Sequence, residues 1–296
     1  MDSQVYLALY TLVTCLGAGV LGFQGAACVR WRSERLNKAS AIVAGALALA
    51  GIALFALRLG RPERLFGGFA NLTSGVTLAL YGVVLFVVVC VAMIVMSSRT
   101  EDGSVPRWCG IAAIVVSVLL VAGMTCGAVL SAKPGVGLYT LMALYLGAAL
   151  LFGAAAHLVL GALLKDEDAC KTGCAALAVC AVLAGVGLAA YLVWYGLDTQ
   201  AAAQATKSTY SMSTHMIGGA KQIAATDRLA VVTSGAQAVL FWGGIVAPLV
   251  CGAAALVVGK GDVLEKRGVL LVLGLAALVC ALAGGWCLRL CLATLV

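Results

Sequence analysis

Three arginines, Arg58, Arg61 and Arg64, lie close together in a segment that also contains a glycine and a proline. The segment follows an apolar run over about 39–57, and glycine and proline commonly end a helix. A guanidinium at the edge of lipid either reaches the headgroups from a helix end or belongs to a functional site. The first interpretation is favoured for Arg58 alone. For the cluster as a whole, the sequence favours a shaped binding site.

Three further polar residues are placed near the same edge by the order of the chain. Asn71 follows the arginines, while Tyr81 and Tyr139 stand early in later apolar runs. Tyrosines are common at membrane interfaces for packing reasons alone. Arginines as charge-assisted donors, with neutral amide and hydroxyl partners, also suit a ligand that carries polar oxygens on an apolar ring.

Haem and metal centres are not expected from the histidines and cysteines. A haem held by two histidines needs both at similar depth, but only His157 lies in an apolar run, since His215 lies in a polar stretch. A hydrogen bond inside the protein is the favoured role of His157, and a proton relay is the alternative. Cys170 and Cys174 are four apart but lack a nearby third ligand. The other cysteines, mostly in apolar runs, are interpreted as small packing residues.

Composition decides the class of protein that must position these groups. Of the 296 residues, 63% are apolar and 10% are charged, against about 45–50% and about 25% in soluble domains. This balance excludes a soluble enzyme, a disordered chain and a nucleic-acid-binding protein. The apolar runs are continuous rather than alternating, which disfavours a membrane β-barrel. The sequence therefore predicts an all-α integral membrane protein in contact with the lipid bilayer.

Eight segments are long enough to cross a bilayer, which takes about 20 apolar residues in a helix. They leave no room for a separate soluble domain, so the whole chain, 1–296, is predicted to be one transmembrane domain. The first segment has no basic residue before it and is interpreted as a true span rather than a signal peptide. The predicted spans are 5–29, 39–57, 76–97, 109–131, 136–164, 172–197, 234–259 and 268–295.

The lysines and arginines predict the orientation of the chain. Eleven of the 19 fall in loops on the side that includes Arg30 and Lys165, and eight fall on the other side. Since positive charge favours the cytoplasmic side, both termini are predicted to lie outside. In this orientation the arginine cluster lies on the outer side, although the preference of positive charge for the cytoplasmic side would not place three arginines there.

The longest polar stretch, about 198–233, is predicted to be a loop on the same outer side. It is rich in Ser, Thr, Gln and Ala, and loops of this length are usually functional or disordered. A docking surface for a protein partner is the favoured interpretation, and a surface loop without a binding role is the alternative. The candidate docking residues are Arg61, Arg64, Lys207, Tyr210, His215, Lys221 and Arg228.

One segment resembles a motif of a known family. The run Leu59–Pro62, followed by Arg64, Asn71 and Ser74, resembles the motif of the dimethyl-sulfoxide-reductase membrane anchor family. In that family an LGxP-x-R segment follows the second helix, and an Asn and a Ser lead into the third.

The layout of the chain agrees with the resemblance. Eight spans with outside termini, Pro248 midway in the seventh span and Arg289 near the end of the eighth are all similar to the family. The resemblance implies an anchor in the bacterial cytoplasmic membrane that oxidises menaquinol without haem or an iron–sulfur cluster of its own. Electrons would pass to an iron–sulfur subunit and a molybdopterin catalytic subunit on the outer face. The implied quinol-binding residues are Arg58, Arg61, Arg64, Asn71, Tyr81 and Tyr139.

The chain departs from the family pattern at two positions. Arg58 stands where the family often has a histidine, and Leu80 and Tyr81 stand where it often has an acid. An arginine stays protonated and cannot accept the protons of a quinol, so water or a partner residue is expected to do so. A purely structural anchor and a small-solute transporter remain as alternatives.

Overall fold

The computed structural model describes residues 3–30, 34–59, 75–100, 104–131, 138–210, 236–261 and 263–295. These residues form eight α-helices joined by short turns or by segments outside the described ranges. The helices are α1 (Ser3–Arg30), α2 (Glu34–Leu59), α3 (Gly75–Arg99), α4 (Arg107–Ser131), α5 (Leu138–Leu164), α6 (Glu167–Tyr210), α7 (Ala236–Val258) and α8 (Arg267–Leu295).

All eight helices of the described residues are long and apolar enough to cross a membrane, which agrees in number with the eight predicted segments. Their spanning segments are 21 to 27 residues long, with mean hydropathies between 1.8 and 3.0. Large apolar side chains cover the outward faces, for example Val88, Val186 and Val257, each more than half exposed. Apolar surface of this extent is unfavourable in water and is suited to contact with lipid tails.

The helices pack up and down, with α1 and α5 at the centre. Of the spanning segments, 61% of α1 and 67% of α5 are buried, against 22–50% of the other six. Helix α1 contacts α2, α4, α5 and α8, while α5 contacts α6 and α8. We call the end of the bundle where α1 begins the Ser3 end. Helices α2, α4, α6 and α8 finish there, and α3, α5 and α7 begin there.

Glycines set the closest helix contacts. A Cβ on Gly19 of α1 would collide with the carbonyl oxygen of Ala149 in α5, and a Cβ on Gly153 would collide with the carbonyl oxygen of Gly19. Helices α7 and α8 meet in the same way, since a Cβ on Gly244 would lie 2.5 Å from the Cα of Gly284. Because apolar side chains gain nothing by leaving lipid for one another, small residues that allow backbones to approach are what hold membrane helices together.

The turn between α5 and α6 is short and capped. Lys165 adopts a left-handed conformation, with φ of 58°. Asp166 then accepts a hydrogen bond on Oδ1 from the Ala169 amide at 3.0 Å, as an N-cap residue does. At the start of α6, Lys171 and Glu167 form an exposed ion pair at 2.6 Å. These contacts fix α5 and α6 as an antiparallel pair.

Helix α6 corrects the predicted loop at 198–233. The helix continues through Asp198 as far as Tyr210, so residues 198–210 are helical, and 211–235 lie outside the described residues. The physical reason is composition, since the stretch after Asp198 is rich in alanine, the strongest helix former. With 44 residues, α6 is about 66 Å long by its helical rise, roughly twice the thickness of a bilayer core. Its apolar run ends at Leu197, so the last 13 residues, 198–210, continue past that run at the Ser3 end.

Candidate functional site

A pocket lies between α5, α6, α7 and α8. It contains about 630 Å³ of empty space, part of which is open to the surroundings. Its walls are mostly apolar and include Leu144, Phe152, Leu188, Phe241 and Ile245. Apolar walls with a few polar groups are typical of sites for small molecules.

Arg289 is the charged residue in the wall of this pocket. Its side chain is only 3% exposed. The residue lies six positions before the end of α8, which places its Cα about 9 Å inside the helix end. A charge at such a depth is costly and by default indicates a functional role.

Two neighbours shape the position of the guanidinium. Its Cζ lies 5.2 Å from the centre of the Tyr145 ring, within the range of a cation–π contact. Gly285, one turn earlier on α8, leaves room for the group, because a Cβ there would lie 2.9 Å from Nη1 of Arg289. The thiol of Cys15 in α1 is hydrogen-bonded to the guanidinium as well. The cation is therefore held by a ring face and a glycine rather than by a carboxylate.

The hydrogen bonds of Arg289 are incomplete among the described residues. Nη1 donates to the carbonyl oxygen of Gly285 at 3.4 Å, longer than an ordinary N–H···O bond. Nε and Nη2 are buried and find no acceptor within the described part of the chain. The ion pair between Lys171 and Glu167 is the single one in the same part of the chain, so no described carboxylate neutralises the guanidinium. The pocket thus offers charged N–H groups that could donate hydrogen bonds to a ligand oxygen.

The two predicted quinol-binding tyrosines do not line this pocket. Tyr81 of α3 is 43% exposed and Tyr139 of α5 is 85% exposed, and neither belongs to its wall. Arg58 falls in the last turn of α2, at the Ser3 end. Arg61, Arg64 and Asn71 lie outside the described residues. The structure therefore places Arg58, Tyr81 and Tyr139 toward the same end of the bundle as the pocket, with the two tyrosines outside its wall.

The predicted docking residues divide between α6 and the undescribed segment. Lys207 and Tyr210 belong to the last turns of α6. His215, Lys221 and Arg228 lie outside the described residues, as do the two arginines shared with the quinol-binding set.

His157 and the cysteines behave mainly as packing residues. His157 is 4% exposed, and its ring packs against Phe23 of α1 at a centroid distance of 4.9 Å. The eleven described cysteines are free thiols, and seven of them are buried. Within the described ranges, no three His, Cys, Asp or Glu side chains come together as metal ligands do.

A buried polar cluster between α1 and α2 was not predicted. Nε2 of Gln24 donates to Oδ1 of Asn37 at 2.7 Å, and the Cys28 thiol donates to the same oxygen at 2.8 Å. Oγ of Ser40 donates to Oε1 of Gln24 at 3.3 Å. The signal that could have found it is Gln24 near the end of the first predicted span and Asn37 just before the start of the second. Its internal bonds indicate a structural role.

Comparison of the sequence with protein-family models and with curated proteins gives no match. The resemblance to the anchor family stays a prediction. The pocket is therefore interpreted from the chemistry of its own residues.

Proposed function

We propose that this chain is the membrane anchor subunit of a molybdopterin oxidoreductase complex, and that it binds and oxidises menaquinol. Electrons would pass to an iron–sulfur subunit, and the chain itself would be the non-catalytic, quinol-binding member. The eight apolar helices support the anchoring role. The motif from Leu59 to Ser74 supports the choice of family.

The observation that carries the proposal is the length of α6. The helix extends 13 residues past Leu197, where its apolar run ends, to Tyr210, or about 20 Å by its helical rise. It does so at the Ser3 end, where α2 finishes and the arginine segment begins. A helix that continues past its apolar run, at the end of the bundle where the chain enters the arginine segment, offers a surface for a partner, and positive charge would give steering and register.

The location of quinol oxidation follows from the position of that partner. A quinol oxidised at the opposite end of the bundle would be separated from its electron acceptor by the thickness of the membrane. We therefore place menaquinol at the Ser3 end, with Arg58, Arg61, Arg64, Asn71, Tyr81 and Tyr139 as its candidate partners. That end faces outward in the proposed orientation, in the bacterial cytoplasmic membrane.

Co-purification tests the docking surface. Deleting residues 204–222 removes the last two turns of α6 and should release the iron–sulfur subunit from the purified complex, while the eight helices stay inserted. Replacing Glu101 and Asp102 by alanine, in the connection at the opposite end, is the matched control and should leave the complex intact. An unchanged yield of complex after the deletion would contradict the proposal.

A small-solute transporter is the second candidate, and the observation that favours it is the buried cation at Arg289. Transporters usually bind near the bilayer midplane through interrupted helices. In the part of the chain that the structure describes, the eight helices are continuous, including α7 at Pro248, and Arg289 lies near a helix end. The anchor is therefore preferred. Uptake of a labelled anion into vesicles that contain the chain alone would reverse this preference.

A further inference from the structure

We infer that the pocket around Arg289 binds the head of an amphiphile whose oxygen atoms accept hydrogen bonds from the guanidinium and whose body is an apolar ring or chain. The two predicted quinol-binding tyrosines, Tyr81 and Tyr139, are not part of this site. The inference rests on the proposed function only in the choice of a quinone as the first ligand to test.

Arg289 has hydrogen-bonding capacity that its neighbours do not meet. A guanidinium carries five N–H donors in a fixed fork. Here Nη1 makes one long bond to the Gly285 carbonyl, the Cys15 thiol is a further hydrogen-bond partner of the guanidinium, and Nε and Nη2 have no acceptor among the described residues. A buried arginine with a purely structural role is expected to have its donors met by carbonyls or carboxylates. Nε and Nη2 therefore keep N–H groups that could donate to a ligand oxygen at this wall of the pocket.

The second step is the shape and polarity of the space beside it. The space that water-sized molecules could occupy is about 70 Å³, which suits the head of a ligand whose body extends through the open side of the pocket. Apolar side chains from four helices form its walls, and Arg289 supplies the charge. Tyr145 holds the cation from one side. A ligand that fits must therefore be apolar over most of its surface and carry its acceptor at one end.

The positive charge of Arg289 determines which ligand group is favoured beside it. No described carboxylate forms an ion pair with Arg289, so an acceptor oxygen, and above all an anionic one, is favoured over a donor or a cation. Two ligands share this chemistry: a quinone or quinol oxygen on a fused ring, and the carboxylate of a fatty acid. The proposed function supplies the first, and the surrounding membrane supplies the second.

Gly185 of α6 allows the pocket to be filled without disturbing the packing. It lines the pocket, and a Cβ there would have no heavy atom within 4 Å. Gly185→Leu therefore places a side chain in the empty space. Gly243 of α7 has equally open surroundings but does not line the pocket, so Gly243→Leu is the matched control.

The experiment measures binding of menadione and, separately, of oleate to the purified full-length chain in nanodiscs of zwitterionic lipid. The variants are Arg289→Met, which removes the charge and keeps the length, Gly185→Leu and Gly243→Leu. We expect at least one of the two amphiphiles to bind to the unaltered chain. Arg289→Met and Gly185→Leu should each weaken that binding at least tenfold, and Gly243→Leu should change it less than twofold. If Arg289→Met does not fold, Gly185→Leu carries the test.

The outcomes separate this inference from the proposed function. Menadione binding that both Arg289→Met and Gly185→Leu leave unchanged would overturn the site and leave quinone binding standing elsewhere. Oleate binding alone, lost in both variants, would support the site and count against quinone as its ligand. Binding of neither amphiphile to the unaltered chain would overturn the inference, whereas release of the iron–sulfur subunit by the 204–222 deletion would still support the anchor.

Discussion

Gly19 of α1 and Gly153 of α5 face each other with no room for a side chain at either position. The two helices are also the most buried of the eight. Their contact joins α1–α4 to α5–α8, and it is made by backbone against backbone.

Replacing Gly19 by alanine should destabilise the fold. The added methyl group would collide with the carbonyl oxygen of Ala149, and a backbone atom cannot move aside as a side chain can. Overpacking of this kind typically costs about 1–3 kcal/mol. The measurement is the temperature at which the detergent-solubilised protein loses its monodisperse elution peak. Gly243→Ala, in open surroundings, is the control, and an equal shift in both variants would contradict the argument.

Removing the cap of α6 should have a smaller effect. Asp166→Ala deletes the acceptor of the Ala169 amide, and loss of an N-cap side chain costs about 1 kcal/mol. Asp168, exposed in the same first turn, serves as the control, because it contributes through the helix dipole alone, about 0.3–1 kcal/mol. Thermal unfolding of both variants under one condition checks the order. A larger loss for Asp168→Ala would show that the cap is not what fixes this turn.

The polar cluster between α1 and α2 should depend on Asn37. Asn37→Ala removes the oxygen that accepts from both Gln24 and Cys28, and we expect a loss of about 1–2 kcal/mol. Ser40→Ala should cost less, because its bond to Gln24 is longer, at 3.3 Å. Unfolding of the two variants and of their double mutant measures the coupling. Simple additivity would mean that the cluster does not act as a unit.

Arg58 should matter for quinol chemistry more than for assembly. In the assembled complex, Arg58→Leu is expected to lower menaquinol-dependent turnover about tenfold or more, the equivalent of one charged hydrogen bond. Turnover with an artificial electron donor should stay within about twofold. His157 lies in the half of α5 that is farther from the Ser3 end. His157→Leu should therefore affect neither rate strongly. Equal loss of both activities in Arg58→Leu would identify a structural arginine instead.

The helices could be predicted because lipid imposes a simple rule on sequence. Every backbone polar group in the membrane must be bonded internally, so a run of about 20 apolar residues is a helix. The rule fails outside the membrane, which is why the continuation of α6 past Asp198 was interpreted as a loop. There only the helix propensity of the alanines marks the structure, and that signal is weak.

The pocket could not be predicted, because the faces of these helices carry little pattern. Leu, Val and Ala occur on all sides, so the sequence does not show which face meets which neighbour. Arg289 stood out as a charge near the end of an apolar run, but nothing linked it to Tyr145, which lies 144 positions earlier in the chain. Only the packing of α8 against α5 brings the guanidinium over the ring.

The length of α6 has a mechanical consequence. The wall of the pocket includes Ala181 and Leu188, and the same unbroken helix continues to Tyr210. From Leu188 to Tyr210 is about 33 Å by helical rise, so a tilt of about 5° displaces one end by about 3 Å relative to the other. A rigid helix of this kind couples movement at its outer end to movement of the pocket wall. A partner that took hold of its outer end would move the wall of the pocket, and a molecule seated in the pocket would in turn set the angle at which that end is presented.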